Sequence, residues 1–169
     1  MAAQAQETSV RAQIVIDVPI EHAFAVFTEN AEWKPPEHNL LGVEIAESIF
    51  EAREGGHVYD RGVDGSECRW ARVLVYEPPD RIVLAWLITP QWRIDPEAAG
   101  TSEVEVRFIA EAPERTRVEI EHRHLERHGP GWESMRDAVG APDGWPLYLR
   151  RLANLAAANG SRQSGQETG

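Results

Sequence analysis

The stretch Trp70–Ile88, WARVLVYEPPDRIVLAWLI, decides how the rest of the chain is read. Two runs rich in Val, Ile, Leu and Trp flank Glu77-Pro78-Pro79-Asp80, and such runs bounded by a Pro-Pro-Asp turn spell a hairpin. In the second run Ile82, Leu84, Trp86 and Ile88 share one side by two-residue alternation. Its other side is apolar as well, so this strand is expected to be covered on both faces or to meet a second copy of the chain. In the first run, alternation groups Cys68, Trp70, Leu74 and Tyr76 with Arg72, which places one guanidinium among the inward side chains.

Working outward, VEIAESIFEARE (Val43–Glu54) and HVYDR (His57–Arg61) form another hairpin around Gly55-Gly56, and Asp64-Gly65 turns into the strand already quoted. Glu51 and Glu54 flank that hairpin, where solvent exposure is expected. Downstream, a loop over Thr89–Gly100 precedes TSEVEVRFIA (Thr101–Ala110), with Val104, Val106 and Phe108 inward and Glu103, Glu105 and Arg107 outward. EAPER then turns into RVEIEHRHLERHG (Arg117–Gly129). Before all of these, VRAQIVIDV (Val10–Val18) reads as a first strand. PIEHAFAVFT follows as a helix opened by Pro19, with Ala23, Phe24 and Phe27 at helical spacing. ENAEWK is read as one more helical turn, stopped by Pro35-Pro36. After Gly129, GWESMRDAVG suits a short helix. GWPLYLRRLANLAAA (Gly144–Ala158) is the strongest amphipathic helix, with Trp145, Leu149, Leu152 and Ala156 on one face.

Strand, helix, consecutive short-turn strands and a long helix make an α+β domain: a curved antiparallel sheet of six to seven strands wrapped around the C-terminal helix. It is expected to span residues 9–158, with polar, aperiodic ends over 1–8 and 159–169 disordered.

With 169 residues and 42% hydrophobic content, the chain can bury a core unaided. A net charge of -11 argues against nucleic acid and against anionic membrane surfaces. Lys34 is the sole lysine, a bias read as compositional. The one cysteine, Cys68, excludes an internal disulfide, suits a reducing compartment and is read as a buried small hydrophobe. The first residues lack the pattern of a signal peptide, and no apolar run approaches the ~18 residues of a membrane span, so a cytoplasmic location is expected.

Collected, the inward positions Phe27, Phe50, Tyr59, Trp70, Arg72, Trp86, Phe108, Trp145, Leu149 and Leu152 make an aromatic-rich interior. Singly, each is ordinary core. Together they line the concave space between a bent sheet and one helix, which is where small-molecule sites form.

The order of elements resembles the helix-grip fold of the SRPBCC superfamily, shared by the birch pollen allergen and steroidogenic-acute-regulatory lipid-transfer domains. More narrowly, it is similar to homologues of the activator of the ninety-kilodalton heat-shock protein ATPase. IDVPIEHAFAVFTE, EAREGGHVYDRGVDG, WARVLVYEPPDRIVLAWLI, TRVEIEHRHLERHG and GWPLYLRRLA carry the likeness, over roughly Val10–Ala157. The resemblance implies an apolar cavity between sheet and helix, with no cofactor. Its relatives include lipid carriers, polyketide cyclases and a self-sacrificing resistance protein, so fold alone does not name a chemistry. The chaperone activators carry a further N-terminal domain that 169 residues leave no room for, which makes a chaperone partner the weaker expectation.

His122, His124 and His128 form H-x-H-x-x-x-H. On a continuing strand His122 and His124 point the same way, about 7 Å apart. No carboxylate or cysteine joins them, so no metal is expected. Three readings stay open: His124 beyond the core and solvated, either imidazole a hydrogen-bonded core histidine, or His122 and His124, with Arg72, as polar anchors in the cavity. Anchors would matter. Burying ~300 Å² of apolar ligand surface gains ~7–8 kcal/mol, and association costs ~4–15 kcal/mol. Nucleophile-elbow, Walker, dinucleotide and HExxH motifs are absent. The sequence thus points to non-catalytic binding of a small, largely apolar lipid or aromatic molecule. The rivals are a cyclase- or hydrolase-like enzyme using His122 or His124 as acid/base, a chaperone-linked stress-response adaptor, and a homodimer through the second face of Ile82–Ile88.

Overall fold

The computed structural model describes residues 8–95 and 102–167, with side chains described as far as residue 158. Seven strands run antiparallel: β1 (Val10–Ile16), β2 (Ile45–Phe50), β3 (His57–Gly62), β4 (Glu67–Glu77), β5 (Arg81–Trp86), β6 (Glu103–Ala112) and β7 (Arg115–Arg123). Their spatial order is β1-β7-β6-β5-β4-β3-β2, a meander from β2 to β7 with β1 added at the far edge. The helices are α1 (Ile20–Glu29), α2 (Trp132–Val139) and α3 (Trp145–Glu167). No helix among the described residues is long and apolar enough to cross a membrane. The expected disordered N-terminus lies, for residues 1–7, outside the described residues. The expected disordered tail falls on the last turns of α3 and on residues 168 and 169; side chains from 159 onward lie outside the description.

The Trp70–Ile88 hairpin is present, turning through a cis Pro78–Pro79 bond. Ile82, Leu84 and Trp86 enter the core, exposed by 4% or less. Val83, Ala85 and Leu87 on the opposite face are buried as well. Across the ladder, Val83 lies opposite Val75 and Glu105, and Ala85 opposite Arg72 and Glu103. Arg123 pairs with Glu103 at 3.0 Å and Glu105 at 2.9 Å, and Arg81 pairs with Glu105, so an ion-pair network roofs that region. Among the described residues this face is covered within one chain, its apolar side chains 3% exposed or less.

Two bulges in β4 correct the reading of its faces. Against β3, Ala71 pairs with Val58 and Arg69 with Tyr59, leaving Trp70 as the extra residue. Against β5, Val73 pairs with Leu84 and Val75 with Val83, leaving Leu74 extra. Each added residue shifts the alternation by one. Cys68, Trp70, Ala71, Val73 and Tyr76 therefore join the core, while Arg72 is exposed on the outer face. Tyr59 also faces outward: its partner Arg69 is exposed, and the guanidinium carbons of Arg69 and Arg61 lie 5.6 Å and 5.8 Å from its ring centre. Its burial comes from that arginine cover rather than from the core.

α1 packs on β6, β7 and α3 and ends at Glu29, since Asn30 is extended at φ -159°; the extra helical turn expected from ENAEWK does not form. The segment after it is pinned. Trp33 stacks on Phe27 at 4.6 Å and gives its indole N–H to the Phe27 carbonyl at 2.9 Å. Arg151 of α3 donates to the carbonyls of Glu32 at 2.8 Å and Trp33 at 3.2 Å. This pinning matters because the next residue is Lys34.

Candidate functional site

Between the sheet and the middle of α3 the space is filled. Phe27 meets Phe50, Phe108 and Trp33 at ring-centre distances of 4.6–5.7 Å. Trp70 meets Trp33 at 5.9 Å, and Leu149 and Leu152 of α3 are buried in the same cluster. Six of the expected lining residues, Phe27, Phe50, Trp70, Phe108, Leu149 and Leu152, thus form solid core.

The hollow lies at one end of the grip, where α3 begins. It has a volume of about 320 Å³, at the lower end of the ~300–1,000 Å³ of ligand pockets. Trp86 at the end of β5 and Ile88 just beyond it form one wall, Trp145 and Tyr148 from the first turn of α3 another, and Ala138 and Val139 close the α2 side. Leu40 and Trp92, exposed by 36% and 42%, stand at its rim. Trp86 and Trp145 are the two expected lining residues the structure brings to it. A wider hollow beside Arg11 and Asp137 is lined by exposed and half-buried residues and includes none of the expected site residues.

Polar side chains from the segment after α1 and from the start of α3 also line the chamber. Lys34 reaches it from the pinned segment, its side chain 5% exposed, and bonds Asp60 of β3 at 2.9 Å and the His38 carbonyl at 2.7 Å. Ser48 donates to the other Asp60 oxygen at 2.9 Å. His38 and Tyr148, both lining residues, meet at 2.7 Å between Nδ1 and the phenolic oxygen. Burial, followed by the Lys34 charge, lowers the His38 pKa below its ordinary 6.5. Burial, then Asp60 and Asp143, pushes the Tyr148 pKa up. At neutral pH the pair is a neutral imidazole against a neutral phenol, able to share or pass a proton.

The histidine motif resolves differently from its spacing. His122 is fully buried one layer behind the chamber and accepts the Trp145 indole N–H on Nδ1 at 3.2 Å. Indole only donates, so the His122 proton sits on Nε2 and is given to Ser102 Oγ at 2.9 Å. Ser102 in turn donates to His128 Nε2 at 2.6 Å. Burial, with a smaller contribution from His128, lowers the His122 pKa to about 3. His124 does not continue the strand: it turns into the left-handed region at φ 64°, ψ 32°, ahead of a short 3-10 turn. Of the open readings, His122 is a hydrogen-bonded core histidine whose bond orients a wall of the chamber, and Arg72 and His124 stay away from it. Among the described residues no group of three or more His, Cys, Asp or Glu could hold a metal ion.

Lys34, His38 and Tyr148 were not among the expected site residues. Tyr148 had a signal, lying three residues beyond Trp145 on the same helix. Lys34 had one too, as a lone lysine between Trp33 and Pro35. Burial, then Asp60, raises the Cys68 pKa to about 11, which keeps its thiol protonated at neutral pH.

The family model described as Activator of Hsp90 ATPase homolog 1-like protein matches residues 17–157. Among solved structures, the chain is 38% identical to the anthrahydroquino-gamma-pyrone synthase Txn09, covering 87% of this chain and 96% of that one with a TM-score of 0.62. It is 27% identical to CalC, a self-sacrificing resistance protein from Micromonospora echinospora, covering 90% and 96% with a TM-score of 0.66. A protein of Nitrosomonas europaea, NE0264, shares the fold at 16% identity, covering 93% and 99% with a TM-score of 0.65. A search of curated proteins finds no match.

Proposed function

We propose a small-molecule-binding role from the premise that this chain belongs to the Activator of Hsp90 ATPase homolog 1-like family. The chamber takes up a small, largely apolar, flat aromatic molecule. The observation that carries this reading is the 320 Å³ hollow itself, walled by Trp86, Trp145, Ile88 and Val139 and bordered by the polar side chains of Lys34, His38, Asp143 and Tyr148. Aromatic walls match the faces of a flat ring, and a few polar groups among them orient it. Two similar proteins are a synthase named for a fused aromatic pyrone and a resistance protein, which supports a ligand of that kind. The test is fluorescence titration of the purified protein with a panel of polycyclic aromatics, repeated on Ala138→Trp, which fills the hollow from α2. Binding to the wild type and its loss in Ala138→Trp is expected. Equal binding by both proteins would place the ligand elsewhere.

The 2.7 Å contact between His38 and Tyr148 inside the chamber favours a second reading, in which the bound molecule is also turned over by acid/base chemistry. The likeness to a synthase supports it. His38→Gln and Tyr148→Phe should then each abolish turnover while leaving binding within about threefold. A chaperone partner rests on the family description alone, and pull-down with the purified chaperone tests it directly.

A further inference from the structure

We infer that the ligand of this chamber carries hydrogen-bond-accepting oxygens on its ring, as a ketone, quinone or phenol does, and that Lys34 and Trp86 are the groups that select for them. The inference rests on the chamber being the binding site and adds the chemistry of what it takes. An ammonium has three N–H donors, and Lys34 uses two, on Asp60 and on the His38 carbonyl. The third has no acceptor among the described residues. Trp86, 4% exposed and on the chamber wall, has a buried indole N–H with no partner among the described residues; Trp70 has one too, but it does not line the chamber. Two donors without acceptors beside one hollow describe the complement of their missing partner. Leaving such groups unmade is unfavourable in a dry site, and an oxygen-bearing ring satisfies both on entry.

The ion pair fits the same purpose. A buried Lys–Asp pair contributes little to stability compared with an apolar packing of similar volume. Here Asp60 balances the Lys34 charge, so the chamber presents a strong donor without a net demand for an anion. Asp60 is itself held from its other oxygen by Ser48, which fixes where the ammonium sits. A neutral carbonyl or hydroxyl oxygen is therefore the matched acceptor, rather than a carboxylate or phosphate.

The experiment compares anthraquinone with anthracene, which share a flat three-ring frame and differ at the central ring, where two carbonyls replace two C–H groups, by fluorescence titration of the full chain. The wild type should bind anthraquinone at least tenfold more tightly. In the double variant Lys34→Met/Asp60→Asn, which removes both charges together and so avoids stranding one, the preference should shrink severalfold. Trp86→Phe, which keeps a ring but loses the N–H, should shrink it again, and combining all three should bring the two probes to parity. Circular dichroism of each variant verifies folding. If both probes bind the wild type equally, or the preference survives in the combined variant, the oxygen-selective role of Lys34 and Trp86 is wrong while the chamber reading stands. If neither probe binds, the chamber reading falls and takes this inference with it.

Discussion

The middle of the grip and its open end are built from the same elements and do opposite things. In the middle, Phe27, Phe50, Phe108, Leu149 and Leu152 pack together with Trp70, whose indole N–H has no partner among the described residues but does not border the chamber. At the end, Trp86, Trp145 and Tyr148 are similarly large and similarly buried, yet each meets a polar question: an orphan indole, an indole bonded to His122, a phenol bonded to His38. Aromatic content therefore does not mark the site; unresolved hydrogen-bonding capacity beside empty space does. An orphan donor closed in by rings, as at Trp70, has no room for a partner, whereas one on the wall of a hollow has.

The comparison breaks most visibly if the middle is emptied. Phe27→Ala removes the ring that Trp33 stacks on and should cost ~3–5 kcal/mol, read by urea denaturation. Binding to the folded fraction should change little, because the lost ring does not line the chamber. Asp60→Ala attacks the other end and should cost a comparable ~3–5 kcal/mol by stranding the Lys34 charge. Unlike Phe27→Ala, it should also disturb ligand binding. Equal effects of the two variants on affinity would erase the distinction between the regions.

A smaller effect follows from pH. His122 has a pKa of about 3 in the folded protein against 6.5 unfolded. Between those values the unfolded chain holds the extra proton, so the stabilisation is complete above 6.5 and is lost as pH falls toward 3. One such proton gives a slope of ~1.4 kcal/mol per pH unit. His38, His57 and His128 are shifted downward too and steepen the acid limb in the same direction. Denaturation curves at successive pH values should show His122→Gln with a shallower acid limb than the wild type. An identical limb would mean that His122 is not held neutral behind the chamber.

What the sequence disclosed was whatever repeats locally. Alternation along β5, β6 and β7, the turn residues between them and the apolar stripe of α3 are encoded within a few neighbouring positions, and together they define the α+β grip. The misreadings occur where one residue breaks the period. Trp70 and Leu74 each insert one extra position into β4, and nothing in the alternation of ECRWARVLVY announces them; the cost was to point Arg72 inward. His124 fell the same way, because a strand period was continued across a residue that adopts left-handed backbone. The chamber was only partly legible for another reason. Its residues come from the segment after α1, the end of β5, α2 and α3, so their meeting is a property of the closed fold. Trp86 and Trp145 were visible as large inward rings, but Lys34 was counted as composition, since only Asp60 across 26 positions gives it meaning.

The smallest expected effects test the boundary between the site and the rest. Arg72→Ala removes an exposed side chain from the outer face and should alter stability by no more than ~0.5 kcal/mol. His124→Gly relaxes a left-handed residue while loosening the unfolded chain; these opposing effects leave a net change within ~1 kcal/mol. Neither side chain lines the chamber, so anthraquinone affinity should match the wild type within twofold in both. The inward reading of these residues demands the contrary, since deleting a polar anchor from a buried site costs a factor of ten or more. A tenfold loss in either variant would put the ligand back beneath the centre of the sheet, where the packed rings of Phe27, Phe50 and Phe108 would first have to part to admit it.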